Sequence, residues 1–190
     1  MEGLTCPTLN NYRRNDHCFE QNGGTSPNVY VFFKSDLAAV PVMTGNVYAT
    51  PTFKAGKGLY KIECKEEEQE IKGESNGKGK GFKLNFSFAI EGITQEAAAL
   101  SRALNLRDVC LIVENGLDSD GVKQSQIMYD PDHNNKVDSG GINSDTGKKP
   151  EDDSMLNVAM TLSPVPYSNI YVTAPTEGGW DSLLVDKSSI

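Results

Sequence analysis

A chain of 190 residues with 37% hydrophobic side chains is long enough for one hydrophobic core and short for two independent domains. Its formal net charge of −8 excludes a broad surface that grips nucleic acid, because phosphate binding needs a local surplus of Lys and Arg. No stretch reaches the roughly 18 to 20 apolar residues needed to span a bilayer, so no membrane insertion of the monomer is expected.

Residues 1–27 are polar and turn-rich and read as an N-terminal arm. The opening MEGLTCPTLNNYRRND lacks the apolar h-region of a signal peptide, so synthesis in a cytoplasm is expected. Asn28 to Phe33 (NVYVFF) is aromatic and β-branched, hence a strand. Pro41, Gly45 and Pro51 then break the pattern and leave at most a short strand around Asn46 to Ala49. Leu59 to Lys65 reads as a strand with Tyr60, Ile62 and Cys64 on one face. The acidic run Glu66 to Glu70, interrupted by Gln69, follows it. Gly73 to Gly81 (GESNGKGKG) reads as a flexible loop, either a hairpin or a longer excursion between strands.

The clearest signal in the chain comes next. Phe82, Leu84, Phe86, Phe88 and Ile90 alternate with Lys83, Asn85, Ser87 and Glu91, so Lys80 to Glu91 is a strand with one buried and one wet face. A helix follows over about 94–105: Thr94 suits the N-cap and Glu96 the first turn. Ile93, Ala97, Leu100 and Leu104 recur at helical spacing and are expected to face a sheet.

Asp108 to Glu114 (DVCLIVE) and Lys123 to Tyr129 are further strands, separated by a turn that begins at Asn115-Gly116. Residues 131–154 form the longest polar stretch and read as a loop. Met155 to Leu162 alternates cleanly, and Asn169 to Ala174 is the last strand. The tail, 175–190, carries the single Trp180 with Leu183 and Leu184. About seven or eight strands with one helix predict a mainly β fold, an antiparallel β-sandwich or barrel with one flanking α-helix. The arm, the body at 28–174 and the tail are the three expected segments.

Several motifs bear on chemistry. Asp130, Asp132, Asn134, Lys136 and Asp138 stand at the spacing of oxygen ligands in an EF-hand loop. Gly141 replaces the bidentate Glu and no amphipathic helix flanks the motif, so a solvated Asp/Asn turn is the favoured reading. The Gly-Lys loop has the wrong spacing for a P-loop, and Gly79 stands where the hydroxyl would be.

His17 beside Cys18 sits on the irregular arm, which does not hold the geometry of a thiolate–imidazolium pair, and with Cys6 lacks a fourth zinc ligand. Cys64 and Cys110 fall in expected strands and read as buried thiols; Cys6 and Cys18 could bridge only in an oxidising setting. No catalytic, cofactor-binding or metal-binding residue is assigned, and the chain reads as non-enzymatic.

The remaining candidates concern contacts between subunits. Lys78 and Lys80 put positive charge on a loop that could dock on an acidic surface of a neighbour. Trp180, Leu183 and Leu184 either pack on their own domain or anchor a neighbouring subunit. Glu66, Glu67, Glu68 and Glu70 are either a solvated strand end or the acidic lining of a lumen, which would give DNA no attractive wells.

The segment KGKGFKLNFSFAIEGITQEAAALSRALNLRDVCLIVENG, followed by SQIMYD and MLNVAMTLSP, resembles bacteriophage tail-tube proteins and the related tube protein of type VI secretion. DSGGINSDTGKKPEDDSMLNVAMTLS is in addition similar to a pattern in virion proteins of phages infecting Bacteroidetes. Together these segments span about residues 59–174, leaving the arm and the tail without a counterpart.

The resemblance implies a structural virion protein of a phage tail tube or neck ring, assembled in the host cytoplasm. Its copies would stack as hexameric rings, contact other tail or neck proteins, and pass DNA as cargo through a channel. The alternative is a host- or carbohydrate-binding β-sandwich displayed on a virion or cell surface, for which Trp180 and the 7 tyrosines would supply an aromatic platform.

Overall fold

The alternation at 82–90 becomes the longest ladder in the molecule. In the computed structural model, which describes residues 25–117, 123–147 and 153–185, this segment is strand β6 (Phe82–Glu91). It pairs antiparallel with β10 (Met155–Val165), placing Leu84, Phe86, Phe88 and Ile90 opposite Leu162, Met160, Val158 and Leu156. Two alternating strands in this register bury one apolar face and leave Asn85, Ser87, Asn157, Ala159 and Thr161 on the other. The outer strands β5 (Glu70–Ser75) and β9 (Val137–Asp145) complete a four-stranded antiparallel sheet in the order β5-β6-β10-β9.

The second sheet has seven strands. They are β1 (Thr25–Phe33), β2 (Met43–Thr44), β3 (Val47–Tyr48), β4 (Tyr60–Glu63), β7 (Val109–Leu117), β8 (Lys123–Met128) and β11 (Tyr171–Val172). Their order is β2-β3-β11-β8-β7-β1-β4. The two sheets form a sandwich with one helix and do not close into a barrel.

The central strands of the large sheet read as unbroken apolar runs, and every residue of Val29–Phe33 and Val109–Val113 is at most 7% exposed. Both faces are therefore covered. One face carries Tyr30, Phe32, Ile112, Ser125 and Ile127. Trp180 closes it, with its ring centroid 6.4 Å from that of Tyr30 and its indole N–H donating to Ser125 Oγ at 2.9 Å. Phe53 meets Phe32 edge-on at 5.5 Å on the same side. The opposite face, with Val29, Val31, Phe33, Leu111 and Met128, faces the small sheet and the helix.

The helix, α1 (Gln95–Leu106), begins where the Thr94 side chain accepts from Ala97 N at 3.1 Å, a cap of about 1 kcal/mol. Ala97 and Leu104 are buried and Leu100 half-buried, as the spacing predicts. Ile93 departs from it: preceding the cap, it lies off the buried stripe and is 38% exposed. Beyond the helix, the Arg107 guanidinium lies 3.6 Å from the Phe33 ring centroid and pairs with buried Asp36 at 2.8 Å.

Two expected loops contain strands. Within 73–81 only the turn at 76–81 is irregular, because Ile71 sits opposite Phe86 and draws Glu70–Ser75 onto the sheet edge. Within 131–154, Val137 and Ile142 pair with Met160 and Val158 and make Val137–Asp145 an edge strand. The expected short strand near 46–49 is half of a hairpin, Met43–Thr44 with Val47–Tyr48, turned at Gly45 with φ of 62°. The body starts at Thr25, so the arm is shorter than 1–27; residues 1–24 lie outside the described residues, together with His17, Cys6 and Cys18. Of 169–174 only Tyr171–Val172 joins a ladder, parallel to β3 and antiparallel to β8.

Candidate functional site

Pairing in the two sheets defines two ends of the sandwich. At the first, Cys64 N donates to Pro27 O at 2.8 Å and Lys65 N to Ala89 O at 2.8 Å, so the chain crosses here from the large sheet to the small. Glu66, Glu67 and Glu68 are exposed on this crossing, with Glu67 in the left-handed region at φ 65°. Only Glu70 stands on the outward face of the small sheet, opposite Ser87. Three of the four candidate lumen residues thus lie at the end of that sheet and not on its face. Lys65, the cation beside them, is tied to Asp153.

Lys78 and Lys80 lie at the other end, exposed on the β5–β6 turn and without an ion pair among the described residues. The turn is closed by Asn76 N to Gly81 O at 3.0 Å and Lys80 N to Gly77 O at 3.1 Å. Gly81 is required here: its φ is 72°, and a Cβ would come within 2.8 Å of Val165 O. Strand β5 separates these lysines from the acidic crossing by roughly 20 Å, so within one chain the two groups do not meet.

The tail residues belong to their own domain. Trp180 is 2% exposed, which leaves no ring face for a sugar or a neighbour. Leu183 and Leu184 are half-buried, with Leu59 N donating to Leu183 O at 2.8 Å and Val185 N to Leu59 O at 3.0 Å. Residues 186–190 lie outside the described residues.

The segment with EF-hand spacing folds as a braced turn. Asp130 Oδ1 accepts from Asp132 N at 2.8 Å and His133 N at 3.2 Å, and Oδ2 lies 2.9 Å from His133 Nδ1. Burial pulls the Asp130 pKa upward, but these hydrogen bonds outweigh it and hold the carboxyl below its ordinary value. Fully buried Asn135 accepts from Asp130 N at 3.0 Å and donates to Cys110 Sγ at 3.2 Å.

The turn's carbonyls already hold a cation, one supplied by the chain itself. Lys34 Nζ donates to the oxygens of Asp130, Pro131 and His133 at 3.0, 2.8 and 2.8 Å. Among the described residues no group of three or more His, Cys, Asp or Glu converges as a metal site.

Two hollows adjoin this turn. A polar one of about 240 Å³ includes His133, Lys136, Asp138 and Thr161, whose hydroxyl donates to Asp138 Oδ2 at 2.7 Å. The other, about 290 Å³, is walled by Pro41, Met43, Pro164, Val165, Pro166 and Ile170. Tyr48 and Tyr129 also line it, packed edge to face with centroids 5.3 Å apart, and Asp130 and Asp132 contribute carboxylates. Burial first, then the charges around them, push both phenols up to about 12. Sequence reasoning missed this hollow, because its residues come from four separate stretches that share no spacing.

Compared with known proteins, the chain matches no family model, no curated protein and no solved structure.

Proposed function

We propose that this chain is a structural subunit of a phage tail tube or neck ring, which self-assembles into hexameric rings around a channel for DNA. The observation that carries the reading is the four-stranded sheet. Its outward face is built of small uncharged groups at its centre, Asn85, Ser87, Asn157, Ala159 and Thr161, exposed or half-exposed. Its outer strands β5 and β9 have no strand beside them among the described residues, and each is a ready template for pairing.

The direction of those edges supports a ring. Each neighbouring pair in the sheet is antiparallel, so the two outer strands of this four-stranded sheet run in opposite directions. A copy rotated about an axis along the strands therefore sets its β5 against the first copy's β9 as another antiparallel pair. Repetition closes a head-to-tail ring. Six such sheets at about 4.8 Å per strand close a backbone circle roughly 37 Å across, wide enough for a DNA duplex. Around these small polar groups the wall carries Glu70, Lys72, Glu74 and Lys83, with Lys72 paired to Glu74 at 2.8 Å, so its charges balance and offer phosphates no net attraction. The charged strand β5 and short strand β2 limit indiscriminate pairing at the edges.

Negative-stain images of the purified protein, with its mass from light scattering, test this reading. Six-fold rings or tubes about 100 Å wide are expected. A monomer that persists at high concentration overturns it.

A further inference from the structure

The hollow beside Tyr129 holds a group that the fold leaves unused. Tyr129 is 1% exposed, and its hydroxyl has no hydrogen-bond partner. A buried hydroxyl without a partner forfeits roughly 1–3 kcal/mol, so a ligand that supplies one has a ready gain. The walls, Pro41, Met43, Pro164, Val165, Pro166 and Ile170, select an aliphatic body.

The charge around the hollow selects the head group. Asp130 and Asp132 both line it, and both act on both phenols through their negative charge. The Asp130 carboxylate is engaged by the turn and by His133, whereas Asp132 is exposed and makes no ion pair among the described residues. A neutral phenol oxygen accepts an N–H, and the aromatic pair beside a carboxylate favours a cation. About 290 Å³ is room enough for one unbranched alkyl chain.

From these features we infer that the hollow is a binding site for an alkylammonium group. The aliphatic stem lies between the prolines and Met43, and the ammonium meets Tyr129 Oη and the Asp132 carboxylate. This chemistry is that of a polyamine or of a lysine side chain from a partner protein, and it does not depend on ring assembly.

The test is a titration of the full chain with cadaverine, followed through the ring-proton NMR signals of Tyr48 and Tyr129. n-Pentanol serves as the uncharged control. Saturable shifts with cadaverine are expected, with pentanol at least about tenfold weaker and Asp132→Asn weakening cadaverine about tenfold. The melting temperature of Asp132→Asn should be unchanged, since this side chain is exposed. Absence of saturable shifts at millimolar concentrations overturns the inference, as does equal binding of pentanol or indifference to Asp132→Asn. A blocked tripeptide with a central lysine separates the two sources: binding as tight as cadaverine indicates a partner's lysine, and binding of cadaverine alone a free polyamine.

Discussion

The two sheets of this sandwich are finished to different degrees. The seven-stranded sheet is covered on both faces: Trp180 and Phe53 close one side, and the small sheet with the helix closes the other. The four-stranded sheet buries Leu84, Phe86, Phe88 and their partners together with Ala89 and Val165. Among the described residues it leaves most of its polar face exposed or half-exposed and no strand beside either outer strand, with the helix packed against β9. A sheet with both faces packed supplies stability. One with a bare face and open edges contributes less to its own chain and more to whatever it meets.

The largest expected effect breaks the cover of the large sheet. Trp180→Ala should cost about 3–5 kcal/mol by urea denaturation, because it opens a cavity beside Tyr30 and frees Ser125 Oγ from its donor. Next comes Lys34→Met, which keeps the stem and removes the ammonium from three carbonyls. A loss of about 1.5–3 kcal/mol is expected, and added calcium should not restore it.

The pH profile sharpens the same contrast, since the groups concerned belong to the large sheet and its turn. Tyr48 and Tyr129 are raised from about 10 to about 12 by burial, so the stability they contribute is full below pH 10 and lost as pH climbs toward 12. Replacing both by Phe should flatten that alkaline limb in a denaturation series. Asp130 has the opposite sign. Its lowered pKa gives stability above the ordinary carboxylate value of about 3.9, lost as pH falls below it, and Asp130→Asn should blunt the acid limb. The smallest effect is at the bare face: Asn157→Ala should change monomer stability by no more than about 0.5 kcal/mol. A large loss there would show the face to be covered.

Elements with a strong period were readable from sequence. The strand at 82–91, its partner at 155–165 and the capped helix all announced themselves, because each buries a continuous stripe at one spacing. The edge strands did not. Strand β5 brings only Ile71 to the core and β9 only Val137 and Ile142, and their glycines and charges have the composition of loops.

The contacts around the turn at 130–135 were beyond sequence reasoning for another reason. Lys34 reaches carbonyls almost a hundred positions away, and no local pattern marks an ammonium as the ion that a calcium-like spacing holds. Trp180 read equally well as an anchor for a neighbour, and its burial was decided by Tyr30 and Ser125, both distant in the chain.

The most direct test of the small sheet as an assembly element is amide hydrogen exchange, compared between dilute and concentrated protein. Added protection confined to Glu70–Ser75 and Val137–Asp145, the two open edges, is the predicted result. Protection that does not change with concentration, or that rises elsewhere while these strands exchange freely, would contradict it.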